Sequence, residues 1–387
     1  MDFELSEDQL ALRVGAGALL DDLAAPARVR AHCAGGEPFD RALWTAMAEQ
    51  GWPAVDQPEA DGGLGLGLVE VAVLCEALGS RVAPVPFLGT VLARGALAEA
   101  AAAGRIGGTD TVPGPGRGVG AKAAGMTVDE VVGRLASGQA AGALAWSRRP
   151  DALAARRVGD SWVVSGRADP VVDAAAAEVV VAFARTDDGP GLFALCAPGA
   201  GWPPEPAMDR TRTQSWLDLE EAPALALGAA DAADGLWDRA ATLAAAEMLG
   251  GARRAMEMAV AYAKDRVQFG RPIGSFQAVK HRCADMLVDV EGMHSSAYYA
   301  AWAVGAADPE AHAAASAAKV WCSDASARVM AGALQVHGGI GFTWEHDLHL
   351  YVKRAQLDRL RFGDATVHRE RLAKILRPRA EKGEPVL

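Results

Sequence analysis

Hydrophobic positions recur three to four residues apart in the first hundred residues, alternate with polar ones in the middle, and return to the longer period from about residue 229. The first stretch predicts helices over 7–23, 40–50 and 69–78, the first capped by Ser6 with acidic residues in its opening turn and the second ending at Gly51. Between the last two lies a turn-rich segment, 58–67, with four glycines. Its spacing is not GxGxxG and no strand precedes it, so a plain turn that lets two helices meet is expected over a phosphate loop. Residues 104–125 are rich in Gly, Ala and Pro without any period and read as a linker or mobile loop. Short β-prone runs follow at 143–146, 161–165, 178–184 and 191–196, with Gly159-Asp160 and Asp187-Asp188-Gly189 placed as turns. Together they predict a small β domain over about 135–222. Beyond it Ala245, Met248, Leu249, Ala252, Met256 and Val260 share a helical face, as do Val290, Met293, Ala297 and Ala301, and then Ala318, Trp321, Ala325 and Val329. Small residues on three long helices predict a tight bundle. A last helix is expected after Gly363 and through residue 376.

Length and composition narrow the classes. A chain of 387 residues, 51% hydrophobic and 22% charged, is expected to form two or three domains. The expected fold is α+β and mostly α, with a helical domain at 1–126, a β domain at 127–224 and a four-helix bundle at 225–387. A net charge of -11 with no basic stripe argues against a nucleic-acid partner. Five cysteines lie far apart without a CxxC pair, so neither a disulfide framework nor a metal site is expected and a reducing compartment is favoured. The N-terminus lacks the pattern of an export signal, and no apolar run reaches the ~20 residues of a membrane span. A cytoplasmic location is expected.

Several residues carry candidate chemistry. The pair Gly338-Gly339 follows a helix and suits either a C-cap or the close approach of a ligand to backbone. Arg266 ends a long helix, where a guanidinium fork suits a pyrophosphate and a cation equally suits the helix dipole. Asp364 opens the last helix, as a cap or as a general base. Glu247 is an acid in an alanine-rich stretch, expected to pair with Arg253, Arg254 or a neighbouring chain, and otherwise a second candidate base.

Two segments add a resemblance. Arg266-Val267-Gln268-Phe269-Gly270-Arg271-Pro272-Ile273 and Gln335-Val336-His337-Gly338-Gly339-Ile340-Gly341-Phe342, with Phe362-Gly363-Asp364-Ala365-Thr366-Val367-His368 beyond them, resemble the acyl-CoA dehydrogenase family in its actinobacterial form. The resemblance implies FAD as cofactor, with Arg266, Gln268, Phe269, Gln335, Gly338, Gly339, Thr366 and His368 toward it, and Ser147 at the place of the family's T-E-P-x-A-G-S-D run. That run is here Trp146-Ser147-Arg148-Arg149-Pro150-Asp151, and the later G-T-K-x-x-I-T is Gly166-Arg167-Ala168-Asp169-Pro170-Val171-Val172, without the final hydroxyl. Asp238 and Arg239 match a CoA-holding pair. Asp364 stands where family members commonly place a catalytic glutamate. The other position the family uses, on the long helix, is Ala240. The implied activity is α,β-dehydrogenation of an acyl-CoA thioester in fatty acid or sterol side-chain metabolism. Asp364 would take the α-proton, flavin N5 the β-hydride, and an electron-transferring flavoprotein the electrons. The implied assembly is a dimer or tetramer, with itself or with a homologous subunit. Two further readings stay open: a non-catalytic FAD-sharing subunit of a heteromeric dehydrogenase, and a flavin oxidase or monooxygenase on the same fold.

Overall fold

The computed structural model describes residues 4–114, 125–197 and 202–384, so residues 115–124 of the expected loop at 104–125 lie outside the described residues. The chain forms two compact units, one of residues 1–33, 68–83 and 241–387, the other of residues 34–67 and 84–240. Its longer helices are α1 (Glu7–Leu23), α2 (Pro26–Ala34), α3 (Arg41–Glu49), α4 (Leu68–Gly79), α5 (Phe87–Ala102), α6 (Val128–Ala136), α7 (Ala230–Asp265), α8 (Gln277–Gly305), α9 (Ala311–His337), α10 (Leu348–Leu360) and α11 (Ala365–Glu381).

Local signals set several of these ends. Ser6 and Gln9 form the reciprocal capping box of α1, and Asp40 caps α3 through the Leu43 amide at 3.0 Å. The glycine-rich turn at 58–67 is a turn indeed. Gln57 Nε2 donates to the Asp61 carbonyl at 2.6 Å, and a Cβ on Gly63 would stand 2.2 Å from the Gln57 carbonyl.

In the second unit a sheet closes on itself. Strands β1 (Thr111–Val112) and β2 (Met126–Thr127) pair beside it; the sheet itself comprises β3 (Gly142–Ala145), β4 (Leu153–Val158), β5 (Ser161–Val172), β6 (Val179–Thr186), β7 (Gly189–Cys196) and β8 (Gln214–Gly228). The order is β3-β6-β4-β5-β8-β7, and β6 also pairs with β7, which closes a ring with β3 attached outside it. Leu153, Val164, Val180, Phe193 and Leu217 fill the interior. Two strands escaped the sequence pattern. Strand β4 carries Arg156-Arg157 and β8 carries Asp218, Glu220 and Glu221, but these charges occupy outer faces and pair across strands, Arg156 with Glu221 and Arg167 with Asp218. The β segment accordingly runs to residue 228 instead of 222.

In the first unit α7, α8 and α9 pack through alanine. On α7 the fully buried stripe is Ala245, Met248, Leu249, Ala252, Ala255, Ala259 and Ala263. Met256 and Val260, expected on it, are only half-buried, and Trp321 on α9 is 40% exposed. The larger residues stand at the edges of the seams because close helix approach leaves only methyl-sized space in the middle. The tightest approach joins α4 and α7. A Cβ on Gly250 would lie 1.9 Å from the Glu76 carbonyl, and one on Gly79 would lie 2.0 Å from the Glu247 carbonyl. The same tetrad, Glu-x-Leu-Gly, makes both sides of the crossing: Glu76–Gly79 and Glu247–Gly250.

Gly250→Ala must push the two backbones apart and should destabilise the chain by about 3 kcal/mol or more. Gly235→Ala, in the same helix with nothing within 4 Å, should raise stability by roughly 0.5–1 kcal/mol. Denaturant midpoints with unchanged slopes would check both.

Candidate active site

The turn between α10 and α11 is the most heavily constrained segment of the first unit. Phe362 and Gly363 both take positive φ, 56° and 100°. At Gly363 a Cβ would meet His368 Nε2 at 3.0 Å, so both strain and space require glycine there. Asp364 follows as the N-cap of α11, its Oδ1 accepting from the amides of Thr366 at 2.9 Å and Val367 at 3.0 Å. The sequence left capping and base catalysis as alternatives for Asp364, and the structure shows the cap. Thr366 itself is exposed.

Two buried cation-forming side chains lie beneath this turn. Lys319, from α9, is fully buried and its Nζ donates to the carbonyls of Gly363 at 2.8 Å, Arg359 at 3.0 Å and Asp358 at 3.1 Å. Burial draws its pKa down to about 7. His368, also fully buried, donates from Nε2 to the Phe362 carbonyl at 2.9 Å. Burial first, and the nearby Lys319 second, hold its pKa at about 3, so the ring is neutral and fixes the turn from inside its own chain.

Glu247 is buried and held by arginines other than those expected. Arg354 reaches its Oε1 at 2.8 Å and Arg361 its Oε2 at 3.3 Å, and Arg361 also bonds Asp358 at 3.3 Å. Arg253 and Arg254 stand six and seven residues along α7, about 10 Å up the helix axis from Glu247. Arg253 instead bonds Glu76 at 3.1 Å, whose other oxygen accepts from Tyr298 at 2.6 Å. Two guanidinium groups on a buried carboxylate make a structural ion cluster.

The remaining first-unit residues gather where α7 and α9 end together, Tyr262 stacked on His337 at 4.8 Å between ring centroids. Beyond Tyr262 the strands β9 (Val267–Gln268) and β10 (Arg271–Pro272) form a hairpin whose two turn residues, Phe269 and Gly270, have φ of 52° and 77°. Positive φ at both is the type I′ geometry, uncomfortable for phenylalanine. It holds the Phe269 ring 92% exposed beside exposed Arg266 and Gln268. Across from it Gly338 has φ 62°, and neither Gly338 nor Gly339 has any atom within 4 Å of a Cβ position, so the backbone is open to a ligand. Gln335 is exposed one turn earlier. His337 is buried, donates from Nδ1 to the Ala333 carbonyl at 2.8 Å, and leaves Nε2 as an acceptor with no hydrogen-bond partner among the described residues. Eighteen residues of α9 separate Lys319 from His337, about 27 Å of helix. The Asp364 turn and the glycine turn are therefore two distinct places on this unit.

In the second unit Ser147 Oγ accepts from the Asp169 amide at 2.8 Å. Asp238 is buried, and Arg239 pairs with Asp56, which also pairs with fully buried Arg94. Arg239 is thus part of an internal ion cluster and not of a plain charged surface. Sequence reasoning missed Lys319, Arg354 and Arg361. The available signal was a single lysine in the run Ala313-Ala314-Ala315-Ser316-Ala317-Ala318, where a charge needs a buried partner.

One unit holds a closed β sheet, and the other holds an alanine-packed bundle with a strained turn that carries a carboxylate. The family models for the N-terminal and C-terminal domains of acyl-CoA dehydrogenase match residues 6–104 and 228–376. The acyl-CoA dehydrogenase IpdE2 of Mycobacterium tuberculosis is 35% identical over 350 residues, 90% of this chain and 91% of that protein. A variant of the Tcur3481-Tcur3483 steroid ACAD superposes with a TM-score of 0.84 at 30% identity, covering 97% of this chain and 99% of that one. The ChsE4-ChsE5 complex from Mycobacterium tuberculosis gives 0.83 at 28%, covering 97% and 99%. The chain belongs to the acyl-CoA dehydrogenase family and is a flavin-dependent oxidoreductase of acyl-CoA substrates. Among the described residues no group of His, Cys, Asp and Glu is arranged to hold a metal ion, and no helix is long and apolar enough to cross a membrane.

The open Gly338-Gly339 backbone, the exposed Arg266 and Gln335, and the unpartnered acceptor on His337 suit the pyrophosphate and adenosine of a dinucleotide.

Because the folded pKa of His368 lies below its unfolded value of 6.5, the unfolded chain binds the extra proton between pH 6.5 and about 3. Stability is full above that window and falls through it, by about 5 kcal/mol at most. His368→Gln should flatten this acid limb in denaturant titrations across the window.

Proposed function

We propose that the chain carries out FAD-dependent α,β-dehydrogenation of an acyl-CoA thioester with Asp364 as the base. The observation that carries the proposal is the fixing of Asp364 at a helix N-terminus, on a turn held by Lys319 and His368. A carboxylate so held keeps its place while it accepts the α-proton, and small displacements matter, since ~1 Å can cost ~100-fold in rate. The positive end of α11 favours the negative charge that develops on the thioester oxygen as that proton leaves. Bound FAD supplies the acceptor for the β-hydride. Arg266, Gln268, Phe269, Gln335, Gly338, Gly339 and Thr366 would hold it, the first six from the end of the unit where α7 and α9 finish. An electron-transferring flavoprotein would re-oxidise it, in the cytoplasm.

The acyl group is taken as steroid-derived on the likeness to the steroid ACAD alone. A homologous subunit sharing the site is the second reading. It is favoured by the capping engagement of Asp364, by the distance of the glycine turn from Asp364, and by the likeness to the two-component ChsE4-ChsE5 complex.

The deciding measurement is an absorption spectrum of the chain expressed alone, then anaerobic titration with straight-chain and steroid-derived acyl-CoA esters. A flavin band bleached by one ester is expected, and Asp364→Asn should keep the band and lose the bleaching by at least ~100-fold. Bleaching that survives Asp364→Asn removes it as the base. A colourless chain that gains flavin only with a homologous subunit establishes the shared site instead.

A further inference from the structure

Helix α10 ends at Leu360, and the carbonyls of its final turn lack intrahelical partners. Three carbonyls converge on Lys319 Nζ: those of Asp358 at 3.1 Å and Arg359 at 3.0 Å in the helix, and that of Gly363 at 2.8 Å beyond it. An ammonium has three N–H donors, which these acceptors take up in full; Ser323 Oγ stands farther off, at 3.4 Å. A simple helix cap explains the first two contacts. It does not explain the third, because Gly363 lies past the left-handed Phe362 and directly precedes Asp364. The neighbouring groups are held as well: the Phe362 carbonyl by His368 at 2.9 Å, and the Arg361 side chain by Glu247 at 3.3 Å. The peptide plane joining Gly363 to Asp364 is therefore fixed by the Lys319 ammonium.

We propose that Lys319 is a positioning residue: through the Gly363 carbonyl its ammonium sets the direction in which the turn presents Asp364. The clamp stands on its own geometry, and its catalytic consequence rests on the reading of Asp364 as the base. The charged and titratable groups facing Lys319 are Asp358, Arg361 and Asp364 from α10 and the turn, His368 with Arg371 behind it on α11, and Cys322 beside it on α9. Glu247 acts on this set from α7 through Arg361. Burial brings Lys319 to about 7, so it loses its proton above neutrality. Only two donors then remain for three carbonyls, and the turn loosens as pH rises. His368 titrates far below that range and does not contribute there.

The test is hydrogen exchange, resolved by mass spectrometry, on the flavin-loaded protein as wild type and Lys319→Met, below neutrality and well above it. Below neutrality the amides of residues 361–368 should exchange about tenfold faster in Lys319→Met, with the rest of α9 and α11 unchanged. Wild type should acquire the same rise only above neutrality, after correction for intrinsic exchange. In anaerobic bleaching, Lys319→Met should lower the limiting rate by ~100-fold without moving acyl-CoA affinity, and should lose the alkaline change of the wild-type profile. Unchanged protection of the turn in Lys319→Met overturns the proposal. So does wild-type protection that is independent of pH across neutrality, and this second result decides the matter even where Lys319→Met does not fold. A loosened turn in a protein whose Asp364→Asn form still bleaches keeps the clamp and removes the base.

Discussion

The backbone contact between α4 and α7 is the constraint on which the rest of the first unit depends. Two glycines, Gly79 and Gly250, let the helices approach until each would-be Cβ falls on a carbonyl of the other helix. Each glycine ends a Glu-x-Leu-Gly tetrad, so the contact also carries two carboxylates, Glu76 and Glu247, into the interior. A buried carboxylate without partners costs several kcal/mol, and each therefore collects its own set. Glu76 takes Arg253 and Tyr298. Glu247 takes Arg354 and Arg361, one from α10 and one from the residue that follows it.

That second set transmits the crossing to the candidate active site. Arg354 and Arg361 tie the end of α10 to Glu247, and the carbonyls of Asp358 and Arg359 belong to its final turn. Lys319 answers them from α9, and in doing so takes hold of the turn as well. The chain of dependence runs from two glycines to a buried acid, from the acid to a helix end, and from the helix end to Asp364. Each link is polar and dry, so each is intolerant of a missing partner. Such a site is stiff by construction, which suits a base that must meet one particular proton.

Exposed aromatics show a different economy at the far end of the unit. Phe269, Phe342 and Trp344 are 92%, 73% and 71% exposed around an open glycine backbone. Large apolar patches on a protein surface mark contacts with something else. Here they surround the residues proposed to hold the cofactor, and they agree with an assembly in which this end faces a ligand or another subunit.

Much of this was legible along the chain. The cap at Ser6, the short β runs, the glycine pair after α9 and the alanine-rich faces announced their elements because local periodicity and cap chemistry act within a few residues. The family resemblance rested on contiguous motifs, from Arg266 to Ile273, from Gln335 to Phe342 and from Phe362 to His368, which survive without knowledge of contacts. Strands β4 and β8 escaped because their charges face outward and pair only once the sheet has closed. The partners of Glu247 escaped because Arg354 and Arg361 are more than a hundred residues away in sequence, while Arg253, the nearer candidate, pairs with Glu76. Composition and motif thus determined the class of the protein, its helices and its candidate residues. Tertiary packing alone decided that Lys319 meets the end of α10, since the lysine and the two carbonyls it takes there lie 39 and 40 residues apart along the chain.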